Sequence, residues 1–125
     1  MINKAVNDEK LPVYGDGKNI RDWIYVDDHC AAIDAIIRKG KPGEIYNVGS
    51  NNEKTNLEIV NTILESLDKP KKLITFVADR PGHDLRYAID CTKIKKELCW
   101  CALTSFNEGM RKTIEWYLNN QNNQK

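Results

Sequence analysis

The stretch Asp79–Arg86, DRPGHDLR, gathers two guanidiniums, an imidazole and two carboxylates around a Pro-Gly pair. Pro81 fixes its own φ and Gly82 can take a positive one, so a tight, shaped loop is predicted. A stiff loop of this kind, directly after a strand, is where ligand-binding groups commonly sit. Arg80 and His83 are the pair best suited to a phosphate, since a planar guanidinium can grip one bidentately. The plainer alternative is a solvated loop with an Arg–Asp pair of little energetic weight. Arg21 is the second candidate cation. Arg21 and Asp22 are consecutive on a predicted strand, so they point to opposite faces. Arg21 then either clamps a phosphate or pairs with a nearby acid. Asn56 opens a predicted helix, where it either helps satisfy free N–H groups or touches a ligand near the positive helix end. Spacing alone favours the first. Trp23 reads as core rather than as a stacking platform.

Two other patterns suggest chemistry and fail on context. Gly15-Asp16-Gly17 begins a GxGxxG run, but Ile20 occupies the third glycine position. The run also lies between two predicted strands, whereas a dinucleotide fingerprint needs strand, glycine turn, then helix. A hairpin-type turn is expected instead. Tyr14 and Lys18 have the Y-x-x-x-K spacing of a catalytic acid/base pair. That chemistry needs both on one helix face, and two intervening glycines oppose a helix. Cys99 and Cys101 are one residue apart and no CxxC exists among the four cysteines, so metal binding is not expected. The thiols are expected to be reduced.

The elements that must position these groups alternate between the two periodicities. Residues 1–9 could form a short helix, Leu11–Tyr14 a short extended run, and Ile20–Val26 a strand. Asp27 or Asp28 can cap a helix with Cys30, Ile33, Ile36 and Ile37 on its apolar face, stopped by Gly40. Glu44–Gly49, EIYNVG, reads as another strand. Thr55 and Glu58 form a capping box opening a helix with Leu57, Val60, Leu64 and Leu67 at helical spacing. Leu73–Ala78 is the strand that delivers the chain to the DRPGHD loop. Thr92–Leu98 is a short helix, and Ser105 with Glu108 caps a last one with Met110, Ile114, Tyr117 and Leu118 buried. This is α/β organisation, with strands too few and short for one complete sheet.

Composition fits that picture. The chain has 125 residues, 41% hydrophobic and 30% charged, which suits one globular domain with a real core. Its 19 basic and 18 acidic residues leave a net charge of +1, giving no general attraction to nucleic acid or membrane. Any anion site is therefore local. No apolar run approaches the roughly 20 residues of a membrane helix, and no signal-peptide pattern opens the chain, so a cytoplasmic location is expected.

The ordered set LPVYGDGKNIRDWIYVDDH, EIYNVGSNNEKTN, FVADRPGHDLRYAID and SFNEGMRKTIEWYL resembles the C-terminal part of the dTDP-glucose 4,6-dehydratase family. These are NAD-dependent extended short-chain dehydrogenases/reductases. The resemblance runs from Met1 to about Leu118, and the NEKTN and DRPGHD-x-RYA motifs are its most specific part. It implies the substrate-binding lobe (1–118) of an extended Rossmann-type nucleotide-sugar enzyme, with residues 119–125 a frayed polar tail. In that family the sugar is oxidised at C4 with NAD, water is eliminated across C5 and C6, and the hydride returns to C6. By resemblance, Pro12, Val13 and Tyr14 line the nucleotide cleft, and Arg21 and Arg80 clamp the diphosphate of dTDP-glucose. Asn56 would contact the nucleotide, and Asp79, Arg80, Pro81, Gly82 and His83 would form the substrate loop.

The departures from the family pattern matter as much. Its N-terminal NAD-binding fingerprint, Tyr-x-x-x-Lys helix and acidic dehydration residues have no counterpart in this sequence. Met1 aligns inside a family helix, which suggests a fragment or truncated reading frame. The isolated chain is therefore expected to be inactive, with a separate N-terminal chain as a possible partner and a homodimer usual for the full-length family. Gly and Pro usually stand where this chain has Cys99 and Ala102. The rival expectations are the lobe of a related epimerase or decarboxylase acting on a UDP-sugar, a non-catalytic nucleotide-binding remnant, and a module that self-associates through exposed strand edges.

Overall fold

A computed structural model of the chain describes residues 1–120. The elements follow in the order α1 (Ile2–Val6), β1 (Leu11–Tyr14), β2 (Ile20–Asp22), α2 (Val26–Lys39), β3 (Glu53–Thr55), α3 (Asn56–Ser66), β4 (Ile74–Val77), β5 (Arg86–Tyr87), α4 (Thr92–Leu98) and α5 (Phe106–Asn119). They build two small sheets. β1 and β4 run parallel, Leu11 opposite Ile74 through Tyr14 opposite Val77. β2 is the centre of the other sheet, antiparallel to β3 and parallel to β5. Among the described residues, no helix is long and apolar enough to cross a membrane.

The main core joins α1, β1, α3 and α5, with Leu11, Val13, Val60, Leu64 and Ile114 buried. Burying side chains as fully as Leu11 and Leu64 contributes about 2 kcal/mol each. The α3 box forms in full: Glu58 N–H donates to Thr55 Oγ1 at 3.1 Å, and Thr55 N–H donates to Glu58 Oε2 at 2.7 Å. At α5 the Glu108 N–H donates to Ser105 Oγ at 3.3 Å, while the Glu108 carboxylate turns to Lys112 at 2.8 Å. Leu118 is exposed, and Gly109 and Ile114 are the buried positions of α5.

Several expectations are corrected. The strand predicted over 20–26 ends at Asp22, because Val26 already begins α2. Of the apolar face predicted for α2, Ile36 alone packs inward. Ile33 and Ile37 are exposed, and the helix instead lays Ala32, Ala35 and Ile36 against Ile94, Leu98 and Trp100 of a second, smaller core. Its apolar residues occupy more than one face, and the small alanines are what allow α4 to approach. Asp28 is not a cap but a tie. Its buried carboxylate accepts from Leu103 and Thr104 N–H at 3.2 and 3.0 Å. Burial alone would raise its pKa, yet these bonds and nearby Lys112 hold it below the usual value.

Glu44–Gly49 has the side-chain pattern of a strand but is not one here. Among the described residues no strand lies beside it, and without a ladder partner an extended segment is not a strand. The Gly15–Gly17 turn is not a hairpin either, since β1 and β2 belong to different sheets. Cys99 ends α4 at φ 55°, the left-handed conformation that glycine adopts at least cost. Of the tail expected over 119–125, residues 121–125 lie outside the described residues.

Candidate functional site

The loop after β4 is where the two sheets meet. β4 runs beside β1 and stops opposite Tyr14, and the chain then crosses to β5, which pairs with β2 at Ile20–Arg86 and Arg21–Tyr87. Tyr14 and Arg21 are thus carried to the two flanks of one loop by the short turn that joins their strands. Inside the loop His83 N–H donates to Arg80 C=O at 3.1 Å, with Pro81 and Gly82 at the two central positions. Gly82 has φ +69°, as the third residue of a type II turn requires.

His83 closes this turn. Its side chain is 7% exposed, and its Nδ1 lies 2.6 Å from Asp79 Oδ1, which also accepts the Arg80 N–H at 2.8 Å. The His83 hydrogen bond is the main reason the Asp79 carboxyl titrates below its ordinary value; burial opposes it, and the Arg80 N–H adds a lesser lowering. The Arg80 guanidinium lies 5.4 Å from the centroid of the Tyr14 ring, and the His83 ring meets the same ring edge-on at 6.2 Å. Arg21 donates Nη1–H to Ile20 C=O at 2.6 Å and Nη2–H to Asp84 C=O at 3.0 Å. These two carbonyls orient the guanidinium without neutralising it.

The result is a cleft of about 250 Å³ lined by Arg21, Arg80, Pro81, Gly82, His83 and Asp84. Two full positive charges and an imidazole converge on it, which is the arrangement for a phosphate or diphosphate group. The second arginine of the DRPGHDLR stretch does not join them. Arg86 is committed to Glu53, in a two-pronged pair of 2.7 and 2.8 Å across β2. A larger groove of about 890 Å³ runs along α5 past Trp23, Tyr25, Phe106 and Trp116. It is mostly apolar, so for anion chemistry the smaller cleft is the candidate.

The other predicted residues are placed differently. Val13 is in the main core and Pro12 is half-buried beside it on β1, and neither lines the cleft. Asn56 does not line it either. The first N–H groups of α3 are spent within the fold: Asn56 donates to Asn19 C=O, Leu57 to Gly17 C=O, and Glu58 to the Thr55 cap. Trp23 packs against the main core, as expected, although its Nε1–H finds no partner among the described residues. The residue missed in the sequence is Asn19, which is buried and whose Nδ2 lies 3.3 Å from Asp84 C=O. In the sequence it is only a polar residue just before a strand, and neither its burial nor its partner is marked there. The role of Asp84 is played by its carbonyl, which side-chain identity does not reveal.

The described residues do not fit a dinucleotide. At Gly17 a side chain would strike Val13 at 2.8 Å and Leu57 at 3.0 Å, so that glycine is packed against the core rather than open to a pyrophosphate. No helix N-terminus follows the glycine turn, which leads directly into β2. Tyr14 and Lys18 share no helix; Lys18 pairs with Asp16 at 2.9 Å.

Known proteins share this fold. A family model described as GDP-mannose 4,6 dehydratase matches residues 1–113. A probable dTDP-glucose 4,6-dehydratase of Sinorhizobium fredii is 55% identical over 127 residues, covering 96% of this chain and 36% of the relative. Among solved structures, dTDP-glucose 4,6-dehydratase from Bacillus anthracis in complex with NAD superposes with a TM-score of 0.90 at 49% identity, covering 97% of this chain and 38% of that one. The Streptomyces venezuelae dTDP-glucose 4,6-dehydratase, with NAD and dTDP bound, gives 0.93 at 40% identity, with the same coverage. The chain thus spans a little over a third of the length of the curated relatives it matches. Matched over nearly its whole length, the chain belongs to the GDP-mannose 4,6 dehydratase family and is similar to the C-terminal portion of the dTDP-glucose 4,6-dehydratases.

Proposed function

We propose that the chain is the dTDP-sugar-binding lobe of an NAD-dependent dTDP-glucose 4,6-dehydratase, a cytoplasmic lyase that converts dTDP-glucose to dTDP-4-keto-6-deoxyglucose. The single observation that carries this is the convergence of Arg21, Arg80 and His83 on one cleft, on a loop whose shape is set by Pro81, Gly82 and the Asp79–His83 pair. Arg21 and Arg80 bind the diphosphate, and Asp79–His83 forms the wall against the sugar. Pro12 and Tyr14 extend the site along β1 toward the nucleoside, with Val13 contributing backbone alone because its side chain is in the core. Asn56 contacts the nucleotide only through its side chain, its N–H being already spent on Asn19. Arg80 leaves the Tyr14 ring when the diphosphate arrives, exchanging a cation–π contact for a charge-assisted bond.

Binding the unreactive diphosphate end anchors the sugar for chemistry done by other parts of the enzyme. Among the described residues neither a nicotinamide site nor a catalytic acid/base pair is assembled, and on this reading the chain by itself binds and does not turn over. A separate N-terminal chain, or a homodimer of the complete enzyme, would supply the remainder. The test is to titrate the isotope-labelled chain with dTDP and follow amide resonances. Saturable shifts confined to Arg21, Tyr14 and residues 79–84 are expected. A well-dispersed spectrum that does not respond, or one that responds equally at the α5 groove, sinks the assignment of this cleft.

A further inference from the structure

Asn19 is 4% exposed and lies against two of the residues that line the anion cleft, His83 and Asp84. Its backbone C=O accepts the Asn56 N–H at 3.0 Å. Its Nδ2 lies 3.3 Å from Asp84 C=O and 3.3 Å from His83 Nδ1. These two neighbours are not equivalent. His83 Nδ1 is 2.6 Å from an Asp79 carboxylate oxygen, which can only accept, so Nδ1 carries the proton and has no lone pair for Asn19. The Asn19 N–H is therefore directed to the Asp84 carbonyl. Turning the amide over would set two acceptor oxygens against each other. That same carbonyl accepts Arg21 Nη2–H at 3.0 Å. Its two lone pairs are thus shared between a buried amide and the cation of the site.

We infer that Asn19 is a positioning residue for the anion site: its carboxamide pins the Asp84 carbonyl, and that carbonyl fixes the plane of the Arg21 guanidinium against the 79–84 loop. This rests on the function proposed above. Without the carboxamide Arg21 keeps its charge, but its fork loses a fixed bearing and binds phosphate as a loose point charge. Asn19 itself touches no ligand. Its effect is the same on any diphosphate, whatever nucleoside or sugar is attached.

The experiment compares the unaltered 125-residue chain with Asn19→Ala and Asn19→Asp. Without ligand, the readout is hydrogen exchange of the Ile20 amide, which donates to Leu85 C=O at 2.7 Å where the loop joins β2. Exchange faster in both variants at pH 7, with α3 amides unchanged, is expected. Both variants should bind dTDP and inorganic pyrophosphate about tenfold more weakly, the scale of one lost bond to a charged group. The carboxyl introduced by Asn19→Asp regains a donor for the Asp84 carbonyl once it is protonated. The affinity of Asn19→Asp relative to the unaltered chain should therefore recover as the pH is lowered from 7 to 4, while Asn19→Ala stays flat. Asp79, Asp84, His83, Arg21 and Arg80 face the site in all three chains, and Asn19→Ala, which adds no charge beside them, is the control for the pH dependence they share. Unchanged affinity in Asn19→Ala, or a pH-independent ratio for Asn19→Asp, overturns the inference. If the unaltered chain binds neither ligand, the proposed function fails, and the exchange of Ile20 alone decides the inference: unchanged exchange overturns it.

Discussion

On one face of β2 the carboxylate of Asp22 is closed in by donors: Ser50 and Asn51 N–H reach Oδ2 at 2.8 and 3.2 Å, and Asn52 N–H reaches Oδ1 at 2.8 Å. The Ser50 hydroxyl stands between Oδ1 and the Trp23 carbonyl, with one proton for the two. On the other face Arg21 spends two of its N–H groups on carbonyls and turns the rest toward a cleft. Consecutive charged residues of one short strand thus divide the work. The carboxylate is consumed by the fold, tying β2 to the loop that leads into β3 and α3. The guanidinium is held but not paired, and only a charge left unpaired is available to a ligand.

That division predicts opposite outcomes for neighbouring substitutions. Asp22→Ala leaves three backbone N–H groups without their acceptor and should cost about 3 kcal/mol of stability in chemical denaturation. Its dTDP affinity, measured where the variant is still folded, should change far less. A variant as stable as the parent that has lost binding would reverse the assignment of the two faces. Arg21→Lys is the complementary test, with a smaller effect. It keeps the charge and loses the fork, so thermal stability should be nearly unchanged while dTDP binding falls about tenfold by calorimetry. A fall in stability without a loss of affinity would make Arg21 structural.

The same contrast explains what was legible in the sequence. The DRPGHD loop announced itself because its shape is local: Pro81 and Gly82 specify the turn, and His83 reaches Asp79 four residues away. The Thr55–Glu58 box was equally local. What failed was set by partners distant in the chain. The buried side of α2 was chosen by α4, more than fifty residues on, and Glu44–Gly49 lacks a neighbouring strand to pair with. Asn19 escaped notice because its value lies in a carbonyl more than sixty residues away. Arg80 and Arg86 are six residues apart, yet the local turn holds Arg80 at the cleft while the register of β5 against β2 sends Arg86 to Glu53.

The Arg86–Glu53 pair offers the finest test, because it is a charge pair already satisfied on the face that Asp22 occupies. Its hydrogen bond to Arg86, then the attraction of that charge, hold Glu53 below the ordinary carboxylate range, against opposing contributions from burial and Asp22. A carboxylate with a depressed folded-state pKa stabilises above its unfolded value, near 4.5, and loses that contribution as the pH falls through the folded one. Glu53→Gln should therefore lower the melting temperature slightly at pH 7, far less than Asp22→Ala, because both side chains remain well exposed to solvent. Parent and variant should converge in melting temperature as the pH drops below the ordinary carboxylate range, and raised salt should shrink the neutral-pH difference. Binding of dTDP should be unaltered throughout, since neither residue lines the cleft. A gap that persists at pH 3 would mean that Glu53 contributes by packing rather than by charge. A loss of affinity at neutral pH would mean that β5, and not the turn itself, sets the position of Arg80 and His83.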